Sequence, residues 1–309
     1  MRVLLTGVSS FTGCWFAEAL AQRGAAVLAT TRRPLADYTA AEQDRLAKAR
    51  AAGVSLAHGA AFGDGRLLEL LRTEGPFDLV CHHGAEVGDL RRPDYDPLAA
   101  LEANVRGAVD VTSTLADTGG RALVLSASVF EPEEGAGSDL RPAFNAYGLA
   151  KQLTWQTLRF HAERHRLALG RFVIPHPFGP HEKPGFVSQL VEAWRAGRPG
   201  YVRRPQLVRD FIHVDLLAAA YAGFCLDVHR KDSGGRLAPS GYVGSLAALS
   251  GLIAAELRPR LGLTCEVELA DPPEPGDEPL CRCNSDTLEQ LVSDWPFERS
   301  WDRLADFYR

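Results

Sequence analysis

The chain has 309 residues, 46% hydrophobic and 24% charged, with a formal net charge of −5. That size and balance suit one large α/β domain or two closely joined ones, and an acidic sum with no basic stripe excludes a nucleic-acid binder. No apolar run approaches the roughly 20 residues that span a bilayer, so no membrane partner is expected.

The first residues run from a strand into a glycine turn, without the charged start and long apolar stretch of a signal peptide, which predicts a cytoplasmic protein. Arg2-Val3-Leu4-Leu5 is a short apolar run suited to a strand buried on both faces. Thr6-Gly7-Val8-Ser9-Ser10-Phe11-Thr12-Gly13 follows at once. Cys14 to Arg23 then reads as a helix with Phe16 and Leu20 on its apolar side, stopped by Gly24, and a strand follows over 26–30. A glycine turn inside such a strand–helix–strand unit predicts a dinucleotide site. Gly7 permits a sharp turn, Gly13 lets helix and strand approach, and Ser9, Ser10, Phe11 and Thr12 present backbone N–H groups to a pyrophosphate.

The second strand ends Thr30-Thr31-Arg32-Arg33, with no acidic residue before Asp37. A carboxylate there would accept the ribose of NAD, whereas arginine accommodates the extra phosphate of NADP. Thr31, Arg32 and Arg33 are therefore assigned to the cofactor, and NADP(H) is favoured over NAD(H).

Further strands are predicted near 54–57, 77–82, 121–126 and 170–174, with helical stretches between them. This alternation predicts a doubly wound parallel sheet of the Rossmann type, with ligands beyond the carboxyl ends of the strands. Leu98 to Leu115 and Ala146 to Arg164 are the longest helical stretches, apolar on more than one side. Tyr147 and Lys151, four apart in the second of them, share a helix face, so the ammonium can favour the phenolate. Ser126, at a strand end 21 residues before Tyr147, adds a hydroxyl for an alcohol or carbonyl oxygen.

Beyond residue 175 the pattern loosens. Prolines at 175, 177, 180 and 184 mark a loop before a helix from about Gly185 to Ala196, and 197–205 is another loop. A helix is read over 245–257, a strand over 265–269 and an acidic, proline-rich loop over 271–277. Six cysteines are scattered. The close pair Cys281 and Cys283 has no zinc-type partners, so reduced thiols and no metal site are expected.

These motifs resemble those of the extended short-chain dehydrogenase/reductases that act on nucleotide sugars. Thr6, Gly7, Phe11 and Gly13 fit the opening T-G-x-x-G-F-x-G pattern. Val80-Cys81-His82-His83-Gly84-Ala85 is similar to the strand motif ending in His-x-Ala-Ala, and Asn104-Val105-Arg106-Gly107 to Asn-Val-x-Gly. Ser126-Ala127-Ser128-Val129-Phe130 resembles Ser-x-x-Val-Tyr, Phe178-Gly179-Pro180 resembles Tyr-Gly-Pro, and Val208 to Asp215 fits Arg-Asp-Phe-x-His-Val-Asp-Asp. The resemblance implies a dinucleotide-binding domain over 1–175, rejoined by segments near 205–225, and a smaller substrate lobe over most of 176–309. It implies that Tyr147 exchanges a proton with the substrate oxygen, Lys151 tunes Tyr147 and holds the nicotinamide ribose, and Ser126 orients the oxygen. Ala85, Asn104 and Pro175 would line the cofactor. Ser128, His176 and Arg209 would meet a nucleotide-diphosphate sugar, with Arg209 clamping its diphosphate. A homodimer through a four-helix interface is implied as well.

Three positions depart from the family pattern. Ser10 stands at its second glycine, His58-Gly59-Ala60 replaces Gly-Asp (so the customary adenine contact is missing or comes from Asp64), and His176 replaces an Asn. Ala127-Ser128 follows Ser126 where the 4,6-dehydratases carry Asp-Glu, and Phe186 stands where the epimerising reductases carry a histidine. Simple carbonyl reduction needs only the three residues that remain, so NADPH-dependent keto-reduction of a nucleotide-linked deoxysugar is expected. A 4-epimerase with tightly held NAD is the alternative, and a non-catalytic dinucleotide sensor is the alternative of another class.

Overall fold

The computed structural model describes residues 1–86, 95–136, 143–271, 279–288 and 295–309. The chain begins β1 (Arg2–Thr6), α1 (Phe11–Gln22), β2 (Ala26–Thr31), α2 (Ala40–Ala51), β3 (Ser55–His58), α3 (Gly65–Thr73) and β4 (Leu79–His82). It continues through α4 (Pro97–Val105), α5 (Ala108–Asp117), β5 (Ala122–Ser128), α6 (Ala146–Arg164), β6 (Ala168–Ile174) and β7 (His176–Phe178). After these come α7 (Phe186–Arg195), β8 (Gly200–Val202), β9 (Val208–His213), α8 (Val214–Lys231), β10 (Gly235–Leu237) and β11 (Tyr242–Ser245). The last elements are α9 (Leu246–Leu261), β12 (Val267–Leu269), β13 (Cys281–Arg282) and α10 (Phe297–Tyr308).

Seven strands form one sheet in the order β10-β6-β5-β4-β1-β2-β3, and every neighbouring pair is parallel. The continuous apolar runs of β4 and β5 suit this position, because helices cover both faces and every residue of the two strands is buried. On one face Phe16 and Leu20 of α1, Leu46 of α2 and Tyr221 and Phe224 of α8 share a core. On the other, Leu67 and Leu71 of α3, Val111 and Leu115 of α5 and Leu158 of α6 form a second. This is the doubly wound fold expected from the alternating pattern. Strand order reverses between β1 and β4, and the crevice outside their carboxyl ends is where such sheets bind ligands.

A smaller α/β region lies beyond β6. There β11, β9 and β13 form a short sheet, β7 joins β9, and β12 pairs with β8. Its core sets Val187, Leu190 and Trp194 of α7 against Ile253 and Leu257 of α9 and Trp301 and Leu304 of α10. Among the described residues no helix is long and apolar enough to cross a membrane, and no cluster of metal-ligating side chains occurs.

Two local expectations are corrected. The stretch Leu98 to Leu115 is two helices, because Gly107 adopts φ +60° where its backbone crosses that of Gly63, too closely for any side chain. The proline-rich segment after β6 contains β7, with Pro177 tolerated because, among the described residues, this three-residue strand pairs with β9 alone. The acidic loop read over 271–277 lies outside the described residues from 272 onward.

Candidate active site

The glycine turn carries β1 into α1 directly beneath the end of β4. Gly7 has φ +82°, and a Cβ there would lie 2.6 Å from the backbone nitrogen of Gly84, so only glycine fits. Gly13 packs its α-carbon against the Gly7 carbonyl and likewise leaves no space for a side chain. Ser10, at the family's glycine position, is the N-cap of α1, its Oγ accepting the Gly13 N–H at 3.0 Å. The first turn of α1 offers backbone N–H groups with no intrahelical acceptor, an arrangement that favours an anion.

Above this turn lies a cavity of about 910 Å³, within the range of small-molecule and cofactor sites. One end is lined by Thr31, Arg32, Arg33, Tyr38 and Glu42, the middle by Gly7, Ser9, Ser10, Phe11 and Thr12, and the far end by Ser126, Tyr147 and Lys151. Ala85, Asn104, Pro175 and Ser128 also reach its wall. The close backbone approach at Gly7, the open helix start and the elongated cavity all suit a nicotinamide dinucleotide.

At the Arg32 end, both guanidiniums face carboxylates. Arg32 Nη1 donates to Glu86 Oε2 at 2.6 Å, and Arg33 Nη2 donates to Glu42 Oε1 at 3.0 Å. The Arg33 guanidinium also lies 4.2 Å from the centre of the Tyr38 ring. Asp64, the substitute adenine contact, instead caps α3: its carboxylate accepts the Ala61 and Leu67 N–H groups, both at 2.8 Å, and it does not reach the cavity wall.

At the other end, α6 brings Tyr147 and Lys151 to the carboxyl end of β5. Asn145 caps that helix by accepting the Gly148 N–H at 2.9 Å, and Gly148 fits closely under the Phe130 carbonyl. Lys151 is buried, and its Nζ donates to the Ser126 carbonyl oxygen at 2.5 Å. Ser126 Oγ lies 2.8 Å from His83 Nδ1. The Tyr147 ring stands edge-on to Tyr95 at 6.4 Å.

The electrostatics differ from the expectation that Lys151 would acidify the phenol. Burial raises the Tyr147 pKa, and the neighbouring Glu131 carboxylate and Tyr95 phenol add to the rise, opposed by a hydrogen bond with Ser128. Burial lowers the Lys151 pKa, while Glu131 pulls it back up. Glu131 is fully buried, accepts the Ser128 N–H at 2.7 Å and pairs with Arg171 at 2.5 Å. The ammonium is thus directed at a backbone carbonyl and balanced by a buried carboxylate.

The profile of the NAD dependent epimerase/dehydratase family matches residues 3–236. The chain belongs to that family. It is accordingly an NAD(P)-dependent enzyme of the short-chain dehydrogenase/reductase type. No curated protein sequence matches it. Among solved structures it is similar to UDP-glucuronic acid 4-epimerase from Bacillus cereus in complex with UDP-glucuronic acid and NAD (TM-score 0.76, 16% identity, covering 100% of this chain and 99% of that one). UDP-glucose 4-epimerase from Thermotoga maritima with UDP-glucose gives a TM-score of 0.73 at 17% identity, with 100% and 99% covered. The UDP-glucose 4-epimerase from Thermus thermophilus in complex with NAD gives 0.73 at 20% identity, with the same coverage.

Within this epimerase/dehydratase scaffold, three expected site residues stand off the cavity wall: Gly13, His176 and Arg209. Gly13 acts through the turn it packs against. His176, on β7, is set between the rings of Phe130 and Phe211, each 5.5 Å away. Arg209 is buried on β9, donating to the carbonyl oxygens of Val208, Pro279 and Leu280 at 2.8 to 3.2 Å. Sequence reasoning missed His83, Glu42, Glu86 and Glu131. His83 occupies the variable position of the His-x-Ala-Ala motif, which gave it a place but no role. Glu131 follows the Ser-x-x-Val-Tyr segment directly, and a charge so close to Ser126 was the available signal.

Proposed function

We propose that this enzyme interconverts a secondary alcohol and a ketone on the sugar of a nucleotide-diphosphate sugar, acting as a 4-epimerase with retained NAD. The observation that carries the reading is that Ser126, Tyr147 and Lys151 share one end of a cavity whose middle rests on the glycine turn. A bound nicotinamide supplies the hydride acceptor and donor. Once its own proton has left, the Tyr147 phenolate takes the alcohol proton as the hydride departs, and the phenol so formed returns that proton to the carbonyl oxygen after the sugar has turned over. Ser126 Oγ holds that same oxygen, and the Lys151 ammonium offsets the charge of the phenolate before the proton is taken and after it is returned. Ser128, also on the wall, contacts the sugar.

NAD is supported by Glu42 and Glu86, which hold Arg33 and Arg32 and repel an added phosphate. The NAD and UDP-sugar complexes of the similar structures support the same reading. A second reading, NADPH-dependent reduction of a keto-deoxysugar, is favoured by the same arginines lining the cavity, since each could exchange its carboxylate for a phosphate.

Mass analysis of nucleotide released from the purified, denatured protein separates the two. Retained NAD with interconversion of UDP-glucose and UDP-galactose supports epimerisation. A protein that arrives empty and consumes NADPH with a nucleotide-linked 4-keto-6-deoxysugar supports reduction. We further propose a homodimer built on α4 and α6, because Leu98 and Phe160 on these helices are more than half exposed and Leu149 is exposed beside them.

A further inference from the structure

His83 lies outside the Ser126, Tyr147 and Lys151 set, yet its imidazole touches both Ser126 and the glycine turn. Nδ1 is 2.8 Å from Ser126 Oγ, and Nε2 is 3.0 Å from both Ser10 Oγ and Thr12 Oγ1. The ring stands edge-on to Phe16 at 4.9 Å, and Phe16 is itself stacked on Tyr221 at 3.9 Å, so packing fixes its orientation.

The hydrogen bonds around the ring select a tautomer. Ser10 Oγ accepts the Gly13 N–H and keeps its own proton to donate, and Nε2 lies 3.0 Å away as an acceptor for it. The Thr12 hydroxyl converges on the same nitrogen. Two hydroxyl donors aimed at Nε2 require its lone pair, and a neutral imidazole then carries its proton on Nδ1. Burial, reinforced by Lys151 and His82, pushes the His83 pKa down to about 3, so the ring is neutral at ordinary pH. Nδ1–H therefore donates to Ser126 Oγ, which leaves the serine's own proton to point into the cavity.

We propose that His83 is a positioning residue that makes Ser126 a hydrogen-bond donor toward the reacting oxygen and couples it, through Ser10 and Thr12, to the cofactor turn. The departure of Ser10 from the family's glycine is then one half of a pair with His83. The consequence for turnover rests on the hydride-transfer reading above, whereas the tautomer and its bonds do not.

The test begins with nitrogen-15 histidine-labelled protein, with the His83 signals assigned by their loss in His83→Asn. The expected spectrum is a neutral ring protonated on Nδ1, unchanged from pH 5.5 to 8. Ser126→Ala should shift the Nδ1 resonance, and Ser10→Ala with Thr12→Val should move the population toward the Nε2–H form. A wild-type ring protonated on Nε2, or one titrating like an ordinary histidine, overturns the proposal whether or not a substrate is known. In turnover of UDP-glucose with NAD, His83→Phe keeps the ring's shape but no donor, and should lower kcat at least about tenfold with NAD affinity changed less than about threefold. His83→Asn, whose amide can donate near the Nδ1 position, should recover most of that loss. Equal losses in the two variants, or a loss confined to NAD affinity, also overturn it. Absence of any wild-type turnover, with the expected spectrum, counts against the function proposed above and leaves the His83–Ser126 bond standing.

Discussion

In the proposed reaction Tyr147 carries the proton transfer, and its environment holds it protonated in the free protein, because burial and Glu131 both disfavour the phenolate. Tyr147→Phe should therefore reduce turnover by about 10²- to 10⁴-fold, as expected for loss of a positioned acid–base group, while NAD binding measured by calorimetry stays intact. A Phe variant with wild-type turnover would remove Tyr147 from the chemistry. Gly7 makes the opposite kind of demand. Gly7→Ala must push a methyl group against Gly84 in a backbone region that disfavours side chains. It should cost about 1–3 kcal/mol of stability and abolish dinucleotide binding, which urea unfolding and a binding titration would check together. At this scale the sequence was informative about the shared placement of Gly7, Ser126, Tyr147 and Lys151 on one cavity, because that placement follows from spacing. It was silent on where Lys151 Nζ points, since that follows from the depth of the β5 carbonyl and the position of Glu131.

Among the elements, α6 was legible from end to end: Ala146 to Arg164 is helical as read, with an Asn cap and a histidine and an arginine in its last turn. The break between α4 and α5 was not legible, because it arises from a contact between Gly107 and Gly63, 44 positions apart. Strands β7, β8, β9, β10, β11 and β13 were missed for a related reason, β8 lying inside the stretch read as a loop over 197–205. Such short strands take their identity from a neighbour, and no periodicity in two to six residues announces one. Arg171 of β6 is another such case. In sequence it is a charge in an apolar run, but in the fold it ties Glu131 and Glu134 together from inside the sheet, at 2.5 and 3.0 Å. Arg171→Met would leave two buried carboxylates short of a partner, with Arg236 still on Glu134. We expect a loss of about 3–5 kcal/mol in urea unfolding at pH 7. The loss should shrink at pH 5, since protonation of Glu131, whose pKa burial already raises, removes the uncompensated charge.

For the whole molecule, buried histidines set the response to acid. His82, His83 and His213 are held down to about 3 and His176 to about 4, chiefly by burial. The unfolded chain takes up these protons below pH 6.5, so this group contributes stability that is lost as pH falls. Glu182 and Asp210 act in the other direction: burial raises them to about 7 and about 6, so the folded state holds protons that the unfolded chain has released. Thermal unfolding midpoints should decline gently from pH 6.5 to about 4.5 and steeply below it, where Glu182 no longer compensates. A midpoint independent of pH between 6 and 4 would contradict these burials. Sedimentation should likewise report a dimer, with Phe160→Glu shifting it toward monomer if α6 lies at the contact. The molecule's general plan was legible because a parallel sheet imposes alternating strand and helix signals over long stretches.

Arg45 of α2 connects two parts of the plan that sequence order keeps apart. Its guanidinium, almost wholly buried, donates to the carbonyl oxygen of His181 at 3.0 Å and to that of Ser9 at 3.4 Å. The loop after β7 and the loop after β1 are therefore riveted at one corner, and Trp15 adds a second fastening by donating its indole N–H to the Pro180 carbonyl at 3.1 Å. A clamshell motion that parted these loops would have to strip a charged group of its acceptors. A ligand path that needs these two loops to part is thereby disfavoured, and a crosslink across the riveted corner should leave exchange rates unaltered.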